Sequence, residues 1–263
     1  MNTLILSSYF SVKPHPNLGN FSQYITGKGD PDVFGRGDDG RVWQNDFNYI
    51  RNWYDSIVRN KLKAVLFYDN LEDSFVNSYQ NDFVTFKKVS VSEYSNNDWR
   101  FFCFLDFLKS IPEANRPKTI FHTDASDVTV VKDPHELVHS KEMSKYDYFA
   151  CRDSISLMDF GYLQLHKILG WESELMFRLN INDWWLINMG VVGGKFDKML
   201  LFYEKFTEIR RQSERPELNI DMWILQYMLR SELQPHEFIM GEPVCSDFKK
   251  YQNDRKDVYF IHK

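Results

Sequence analysis

Cysteine is scarce in this sequence of 263 residues, and no motif pairs the few that occur. Cys103, Cys151 and Cys245 are far apart and odd in number, so their spacing shows neither a disulfide framework nor a CxxC motif. Each follows an apolar residue, which indicates that it packs as a small hydrophobic side chain. We therefore expect a reducing compartment, and the predicted location is the cytoplasm.

Long apolar runs are also missing. No stretch approaches the roughly 18 residues that a transmembrane helix needs, and the first residues lack the layout of a signal peptide. The first strand is expected to begin at Thr3, which leaves no stem or anchor in front of it. We expect a soluble chain with no transmembrane segment.

An excess of basic residues is absent as well. The 32 Lys and Arg residues against 37 Asp and Glu residues give a net charge of −5. Without a basic excess to neutralise the phosphates of a nucleic-acid strand, a nucleic-acid partner is disfavoured, and we expect none. An acidic protein can still bind a small diphosphate if it recruits a divalent cation.

What the sequence does contain is an alternation of apolar runs and helical patterns, with 43% apolar and 16% aromatic residues. The predicted strands are Thr3–Ser8, Lys63–Tyr68, Phe83–Val89, Thr119–Thr123, Tyr146–Cys151, Trp185–Val192 and Asp257–Ile261. The predicted helices are Gln44–Lys61, Asp98–Ser110, a short helix beginning at Pro134, Phe196–Arg211 and Ile220–Glu232. This alternation predicts an α/β fold, with a mostly parallel sheet covered by helices on both faces. Ligands of such sheets bind beyond the carboxyl ends of the strands.

Residues 11–42 interrupt the alternation with a long segment rich in proline and glycine. Irregular segments of this length in compact domains are often covers or binding loops. We expect residues 11–42 to close over a site at the strand ends.

The strongest chemical signal follows the strand Thr119–Thr123. This buried strand leads directly into two carboxylates three residues apart, Asp124 and Asp127, before the chain becomes apolar again and reaches Lys132-Asp133-Pro134. Hard oxygen ligands suit Mg²⁺ or Mn²⁺, and either ion can hold a diphosphate. The alternative is a turn in which the carboxylates cap backbone amides. The preceding strand and the following Lys-Asp-Pro turn favour the metal.

This arrangement resembles the glycosyltransferases of the GT-A fold. Their signature is a DxD or DxxD element after a central strand, often followed by a Lys/Arg-Asp-Pro turn. Asp124 and Asp127 match the DxxD form, and the order of motifs is similar to that of glycogenin and the lysyl glucosyltransferases. The resemblance implies that Asp127 binds the metal directly and that Asp124 binds the metal or the ribose of the nucleotide. Ala125 and Ser126, between them, belong to the same predicted donor site.

A second segment, Trp185 to Gly194, resembles the N-(S/A/T)-G-(V/I) element of these enzymes. The resemblance places Asn188 along the donor sugar and the acceptor, while Gly190 allows a close backbone approach. Met189 replaces the small residue that is usual at that position. The alternative is a tight turn at a strand end.

A third segment, Asn219 to Met228, resembles the N-D-Q-x-x-L-N helix start. It implies that Asp221 lies at the donor sugar or near the reacting carbon, although Met222 replaces the common Gln. The alternative is that Asp221 only stabilises the helix amino terminus.

The C-terminal residues Val258 to Lys263 resemble the strand that presents a histidine to the metal in many of these enzymes. By this resemblance His262 is the third protein ligand, beside Asp124 and Asp127. Lys263 is then expected near the diphosphate. A structural role for His262 is the alternative, because a lone histidine is often structural.

Further matches are shorter. The strand that ends at Cys151 leads into Asp153, which the resemblance places against hydroxyls of the donor sugar, with a surface ion pair as the alternative. Arg100 opens the helix before the metal strand and is expected near the nucleotide. Ser7, Ser8 and Tyr9 follow the first strand and are placed to meet the base and the ribose.

Together the motifs predict one GT-A domain over residues 1–263, with a nucleotide-binding part at 1–133 and an acceptor-binding part at 134–263. The predicted reaction is metal-dependent transfer of a sugar from a nucleotide-diphosphate donor, with a UDP-sugar favoured, to a glycan, glycoconjugate or other hydroxyl acceptor. Mn²⁺ or Mg²⁺ would offset the charge on the leaving diphosphate. Asn188, Asp153 and Asp221 form the predicted catalytic set. An inverting enzyme needs a carboxylate base, for which spacing leaves Asp153, Asp183 and Asp221 open.

Two other functions are compatible with parts of the sequence. A sugar-nucleotide nucleotidyltransferase shares the sheet and the metal, but it usually has a Gly-rich basic loop after the first strand, and residues 7–13 contain no glycine. A non-catalytic carbohydrate-binding module could use Trp184 and Trp185 as a platform. For such a module the loss of Asp127 would not matter.

Overall fold

The computed structural model describes residues 1–14, 42–156, 185–229, 238–248, 250 and 252–263. Its strands are β1 (Thr3–Tyr9), β2 (Lys63–Tyr68), β3 (Val84–Lys88), β4 (Thr119–Thr123), β5 (Val128–Val130), β6 (Tyr148–Ser156), β7 (Trp185–Lys195), β8 (Phe238–Met240) and β9 (Phe260–His262). Its α-helices are α1 (Arg51–Arg59), α2 (Asp73–Tyr79), α3 (Asn96–Ser110), α4 (Pro134–His139), α5 (Phe196–Arg211) and α6 (Asp221–Tyr227). Single 3-10 turns lie at Phe47–Tyr49 and Glu113–Asn115.

The described strands form a seven-stranded sheet, in the order β3-β2-β1-β4-β7-β6-β8, and a separate two-stranded sheet of β5 and β9. Strands β3, β2, β1 and β4 are parallel to one another, and β8 is parallel to β6. Strand β7 runs antiparallel to both β4 and β6. The chain winds from β1 outward to β3 and then returns to the other side of β1 with β4. This reversal is the point at which open α/β sheets bind ligands.

Alternate residues of each strand point to opposite sides of the large sheet, and both sides carry apolar side chains. Helices therefore cover both faces of the sheet. In β1, Leu4 and Leu6 face a core that α3, α5 and α6 complete, whereas Ile5 and Tyr9 face one that α1, α2 and α4 complete. Burial on both faces explains why β1, β2 and β4 read as continuous apolar runs. The predicted α/β fold with a mostly parallel sheet is confirmed.

Several predicted element boundaries were wrong. The helix expected over 44–61 is limited to Arg51–Arg59, because Asp46 caps a separate 3-10 turn before it. The terminal strand is Phe260–His262, and it pairs with β5 instead of joining the large sheet. Helix α2 and strands β5 and β8 were not predicted, because three to seven residues are too few for a clear periodicity.

The cysteine pattern was also misread. Cys151 in β6 and Cys245 form a disulfide with a Cα–Cα distance of 5.5 Å, although 94 residues separate them. This bond ties β6 to the segment before β9, so the fold creates a pair that sequence spacing does not show. The reducing compartment was expected because the sequence showed no disulfide framework. The disulfide removes that reason, and the cytoplasmic location stays a prediction. None of the described helices is both long and apolar enough to cross a membrane.

Cys103 is the free cysteine of the chain, and it lies buried in α3. Burial raises the pKa of its thiol to about 12, so thiolate is scarce at neutral pH. We therefore expect the native protein to present no thiol that reacts rapidly with Ellman's reagent. Denatured without reductant it should show one thiol, and after reduction three. Three thiols without reduction would contradict the disulfide, and fast labelling of the native protein would contradict the burial of Cys103.

Candidate active site

The carboxyl end of β4 is fixed by two buried hydrogen bonds. The Ser7 hydroxyl donates to the Thr123 carbonyl oxygen at 2.6 Å, and the Trp53 indole N–H donates to the Thr123 hydroxyl at 2.8 Å. One residue later, the Asp124 N–H donates to the Gly190 carbonyl oxygen of β7 at 2.8 Å. The turn that follows β4 is therefore anchored to both β1 and β7.

Asp124, Asp127 and His262 converge beyond this strand end. One possible ligand atom from each lies within 4.8 Å of the others, with the two carboxylates half-buried and the imidazole buried. The β5–β9 ladder explains the convergence, because it pairs Val128 with His262. The Lys263 N–H also donates to the Asp127 carbonyl oxygen at 3.0 Å. Asp127 and His262, which are 135 positions apart in the sequence, thus become neighbours.

The His262 ring is held in place from several sides. Its backbone N–H donates to the Ser246 hydroxyl at 3.0 Å, and the Phe248 ring lies against it at a centroid distance of 4.3 Å. The ring Nε2 is 3.6 Å from an Asp127 carboxylate oxygen. Across the ring is Gly190, where a Cβ atom would lie only 2.2 Å from Cε1 and 2.5 Å from Nε2. The absence of a side chain at position 190 therefore makes room for the imidazole.

These three residues suit a divalent cation. Two carboxylates and one imidazole form a mixed oxygen and nitrogen donor set of the kind that Mn²⁺ accepts, and Mg²⁺ can use the carboxylates. The space left by Gly190 allows Nε2 to face Asp127 directly. We conclude that the site has the residues and the room to hold a metal ion.

Arg100 links the carboxylates of two chain segments. From the buried first turns of α3 its guanidinium donates to Asp124 and, at 3.2 Å, to Asp221. Burial acts to raise the pKa of Asp124, but the Arg100 charge and hydrogen bond outweigh it, so the pKa lies below its usual range. Burial raises the pKa of Asp221, because Arg100 only partly offsets it. Asp124 is therefore ionised at neutral pH, as a cation ligand must be.

Asn188 and Asp153 form a second polar pair. The Asn188 amide donates to the Asp153 carboxylate at 3.0 Å, while its oxygen accepts the Gly190 N–H at 2.7 Å. Asp153 also accepts the Ser154 N–H at 2.6 Å. Since Asn188 and His262 both flank Gly190, this pair lies next to the three converging residues.

Several other predicted site residues are buried inside the protein. Ser7 and Tyr9 are buried, and their hydroxyls bind the protein itself, that of Tyr9 donating to the Trp43 carbonyl oxygen. Ser8 is half-buried. Of the two residues between the aspartates, Ala125 is buried and Ser126 is half-buried. The side chains of Ser7 and Tyr9 therefore support the strand end, because their polar atoms point into the protein.

Sequence reasoning missed a buried ion pair behind the site. Asp98 in α3 accepts from Arg210 Nε in α5 at 2.7 Å, and both side chains are fully buried. The Asp98 carboxylate also faces the Ile220 N–H at 3.4 Å, directly before Asp221. Burial, with a smaller contribution from Asp221, raises the pKa of Asp98 to about 7, although Arg210 acts to lower it. An arginine on the apolar face of α5 was the available sequence signal.

Several predictions fall outside the described residues. They concern most of the proline- and glycine-rich segment over 11–42, the candidate base Asp183, and Trp184 of the proposed aromatic platform. Trp185, the other member of that platform, is exposed at the start of β7, and the Arg152 guanidinium lies 5.1 Å from its ring centroid. The predicted division into a donor part and an acceptor part is untested and stays a prediction.

Comparison with solved structures identifies the fold. The galactosyltransferase LgtC, in complex with donor and acceptor sugar analogues, matches 98% of this chain and 86% of its own, with 11% identity and a TM-score of 0.50. Mouse xyloside xylosyltransferase 1, in its apo form, matches 100% of this chain and 98% of its own, with 9% identity and a TM-score of 0.52. No protein-family model and no curated protein sequence matches this chain. The chain therefore has the fold of these glycosyltransferases, which is the GT-A fold that its motifs predict.

Proposed function

We propose that this protein is a metal-dependent glycosyltransferase that moves a sugar from a nucleoside-diphosphate donor to a hydroxyl acceptor. The observation that carries the proposal is the convergence of Asp124, Asp127 and His262 within 4.8 Å at the strand ends of a GT-A fold. The structural neighbours named above are a galactosyltransferase and a xylosyltransferase. We favour a UDP-sugar as the donor and a glycan or glycoconjugate as the acceptor.

Asp124, Asp127 and His262 would hold Mn²⁺ or Mg²⁺, and the ion would offset the negative charge that builds on the leaving diphosphate. Arg100 binds one oxygen of Asp124 and so fixes the direction in which the other oxygen points. Lys263 follows His262 directly, so we expect its side chain near the same phosphates. The protein's own part in the reaction is to orient these groups before the donor arrives.

The pairs Asn188–Asp153 and Arg100–Asp221 would orient the sugar. The Asn188 side-chain oxygen accepts the Gly190 N–H at 2.7 Å, and Gly190 lies against His262, so the pair with Asp153 would border the proposed metal. Asp221 is joined to the same position through Arg100. Both carboxylates already accept hydrogen bonds from the protein, which favours roles in positioning donor hydroxyls.

Calorimetric titration of UDP tests the proposal, with Mn²⁺ and with EDTA, on the wild type and on Asp127→Asn. We expect micromolar binding that requires the metal and weakens at least about 100-fold in the variant, because a ligand is lost. Glu113→Gln removes the same charge at an exposed position and should bind as the wild type does.

The outcomes separate the candidate functions. If neither UDP nor another nucleoside diphosphate binds with metal present, the glycosyltransferase proposal is wrong. Binding of free sugar that is unchanged by Asp127→Asn would instead support a carbohydrate-binding module. Where UDP binds as expected, slow metal-dependent hydrolysis of one UDP-sugar among several would identify the donor.

A further inference from the structure

A pair of histidines lies on α4, away from the site described above. His135 and His139 are four residues apart, so they occupy one face of the helix, and their ring centroids are 4.2 Å apart. The segment from His135 to His139 reads His-Glu-Leu-Val-His. This is the H-E-x-x-H pattern, in which two histidines on one helical face bind zinc.

Both rings point at a single atom. His135 Nδ1 lies 3.1 Å and His139 Nε2 lies 3.2 Å from the hydroxyl oxygen of Thr119, the buried first residue of β4. The Thr119 hydroxyl can donate to one ring nitrogen and accept from the other, so the three groups form one polar cluster. The Thr119 oxygen and the two ring nitrogens are therefore close enough together to be ligands of one ion.

The helix start holds His135 in this orientation. Asp133 is the N-cap of α4. Its carboxylate accepts hydrogen bonds from the backbone N–H of His135 at 2.9 Å and from the Thr3 hydroxyl at 2.5 Å.

We propose that His135 and His139 form a second metal site, which takes a borderline transition-metal ion such as Zn²⁺. Imidazole nitrogen suits Zn²⁺, Ni²⁺ and Cu²⁺, whereas carboxylates suit Mg²⁺ and Mn²⁺. The site of Asp124, Asp127 and His262 contributes one imidazole and two carboxylates, so the two sites differ in their donor sets. Thr119 begins β4 and Asp124 follows its end, so at about 3.3 Å per residue the sites are roughly 15 Å apart.

The site supplies two protein ligands. Among the described residues, no third His, Cys, Asp or Glu joins the pair in a compact group. Water and the Thr119 hydroxyl would fill the remaining positions, which predicts micromolar affinity and an ion open to exchange. Bound there, the ion would fasten α4 to the first residue of β4.

Calorimetric titration of ZnCl₂ into the whole protein tests the proposal, with Mn²⁺ in large excess to occupy the site of Asp124, Asp127 and His262. We expect one Zn²⁺ to bind the wild type with micromolar affinity and to raise its melting temperature by mass action. His139→Gln should weaken the binding at least about tenfold. His139 is exposed, so this variant should fold as the wild type does, and an unchanged melting temperature without zinc checks its folding.

A second pair of variants makes the result decisive. His135→Gln should lose zinc as His139→Gln does, whereas Asp127→Asn should keep it, because the carboxylate site is separate. If the wild type binds no zinc, or if both histidine variants bind it as tightly as the wild type, the proposal is overturned. Loss of zinc in Asp127→Asn alone would also overturn it by placing the ion at the carboxylate site.

Discussion

Replacing Arg210 with methionine is expected to lower the free energy of unfolding by about 3–5 kcal/mol, because the change leaves the buried Asp98 carboxyl group and several backbone carbonyl oxygens without their hydrogen-bond partner. Arg210 Nε lies 2.7 Å from Asp98, and both side chains are inaccessible to water. The guanidinium also donates to three backbone carbonyl oxygens, those of Arg215, Pro216 and Leu218. Urea denaturation followed by circular dichroism measures the loss.

Two controls make this prediction specific. Lys205→Met removes a cation from the same helix, where Lys205 and Glu208 form an exposed ion pair at 3.3 Å, and it should change stability by no more than about 0.5 kcal/mol. The double variant Asp98→Leu/Arg210→Met removes both charges and should be more stable than Arg210→Met. If the midpoint of urea denaturation is the same for Arg210→Met and the wild type, the ion pair of Asp98 and Arg210 does not stabilise the fold.

Replacing Gly190 with alanine is expected to weaken metal-dependent UDP binding about 100-fold, if the proposed function holds. The added Cβ would lie 2.2 Å from His262 Cε1 and 3.0 Å from the Asn188 side-chain oxygen. Non-bonded carbon atoms need about 3.5 Å, so the His262 ring must move away from Asp127. Calorimetric titration with Mn²⁺ measures the change.

Gly194→Ala is the matched control for this variant. It lies on the same strand, and its Cβ would lie 2.2 Å from the Asp147 carbonyl oxygen, so it crowds β7 without touching His262. Both variants should melt at a lower temperature than the wild type, by overpacking. Only Gly190→Ala should lose metal-dependent binding, measured where both are folded. Wild-type affinity in folded Gly190→Ala would show that the position of His262 does not matter.

The arrangement of the large sheet follows closely from local pattern. The limits predicted for β2, β4 and α5 agree with the structure, because a strand buried on both faces is a continuous apolar run and a long helix repeats its apolar positions. The short strand β5 cannot be predicted in this way. Its three residues are extended because β9 pairs with them, and that partner lies 130 residues away.

The same distinction applies to the candidate site. Asp124 and Asp127 could be singled out because they follow a buried strand, and His262 because the strand before it resembles the one that presents a histidine in GT-A enzymes. The disulfide between Cys151 and Cys245 and the Arg100 bridge between Asp124 and Asp221 could not. Each joins segments that are distant in sequence, and periodicity carries no information on which segments meet.

By itself the sequence therefore determined the α/β class and the central strands, since these depend on which local segments are buried and where they end. The three converging residues were predicted from the carboxylates after a buried strand together with the resemblance to GT-A enzymes. Only the tertiary structure decided that Ser7 and Tyr9 point into the protein, that Gly190 makes room for His262, and that Asp98 and Arg210 pair behind Asp221. These features depend on the packing of one element against another, which is set by the whole chain at once.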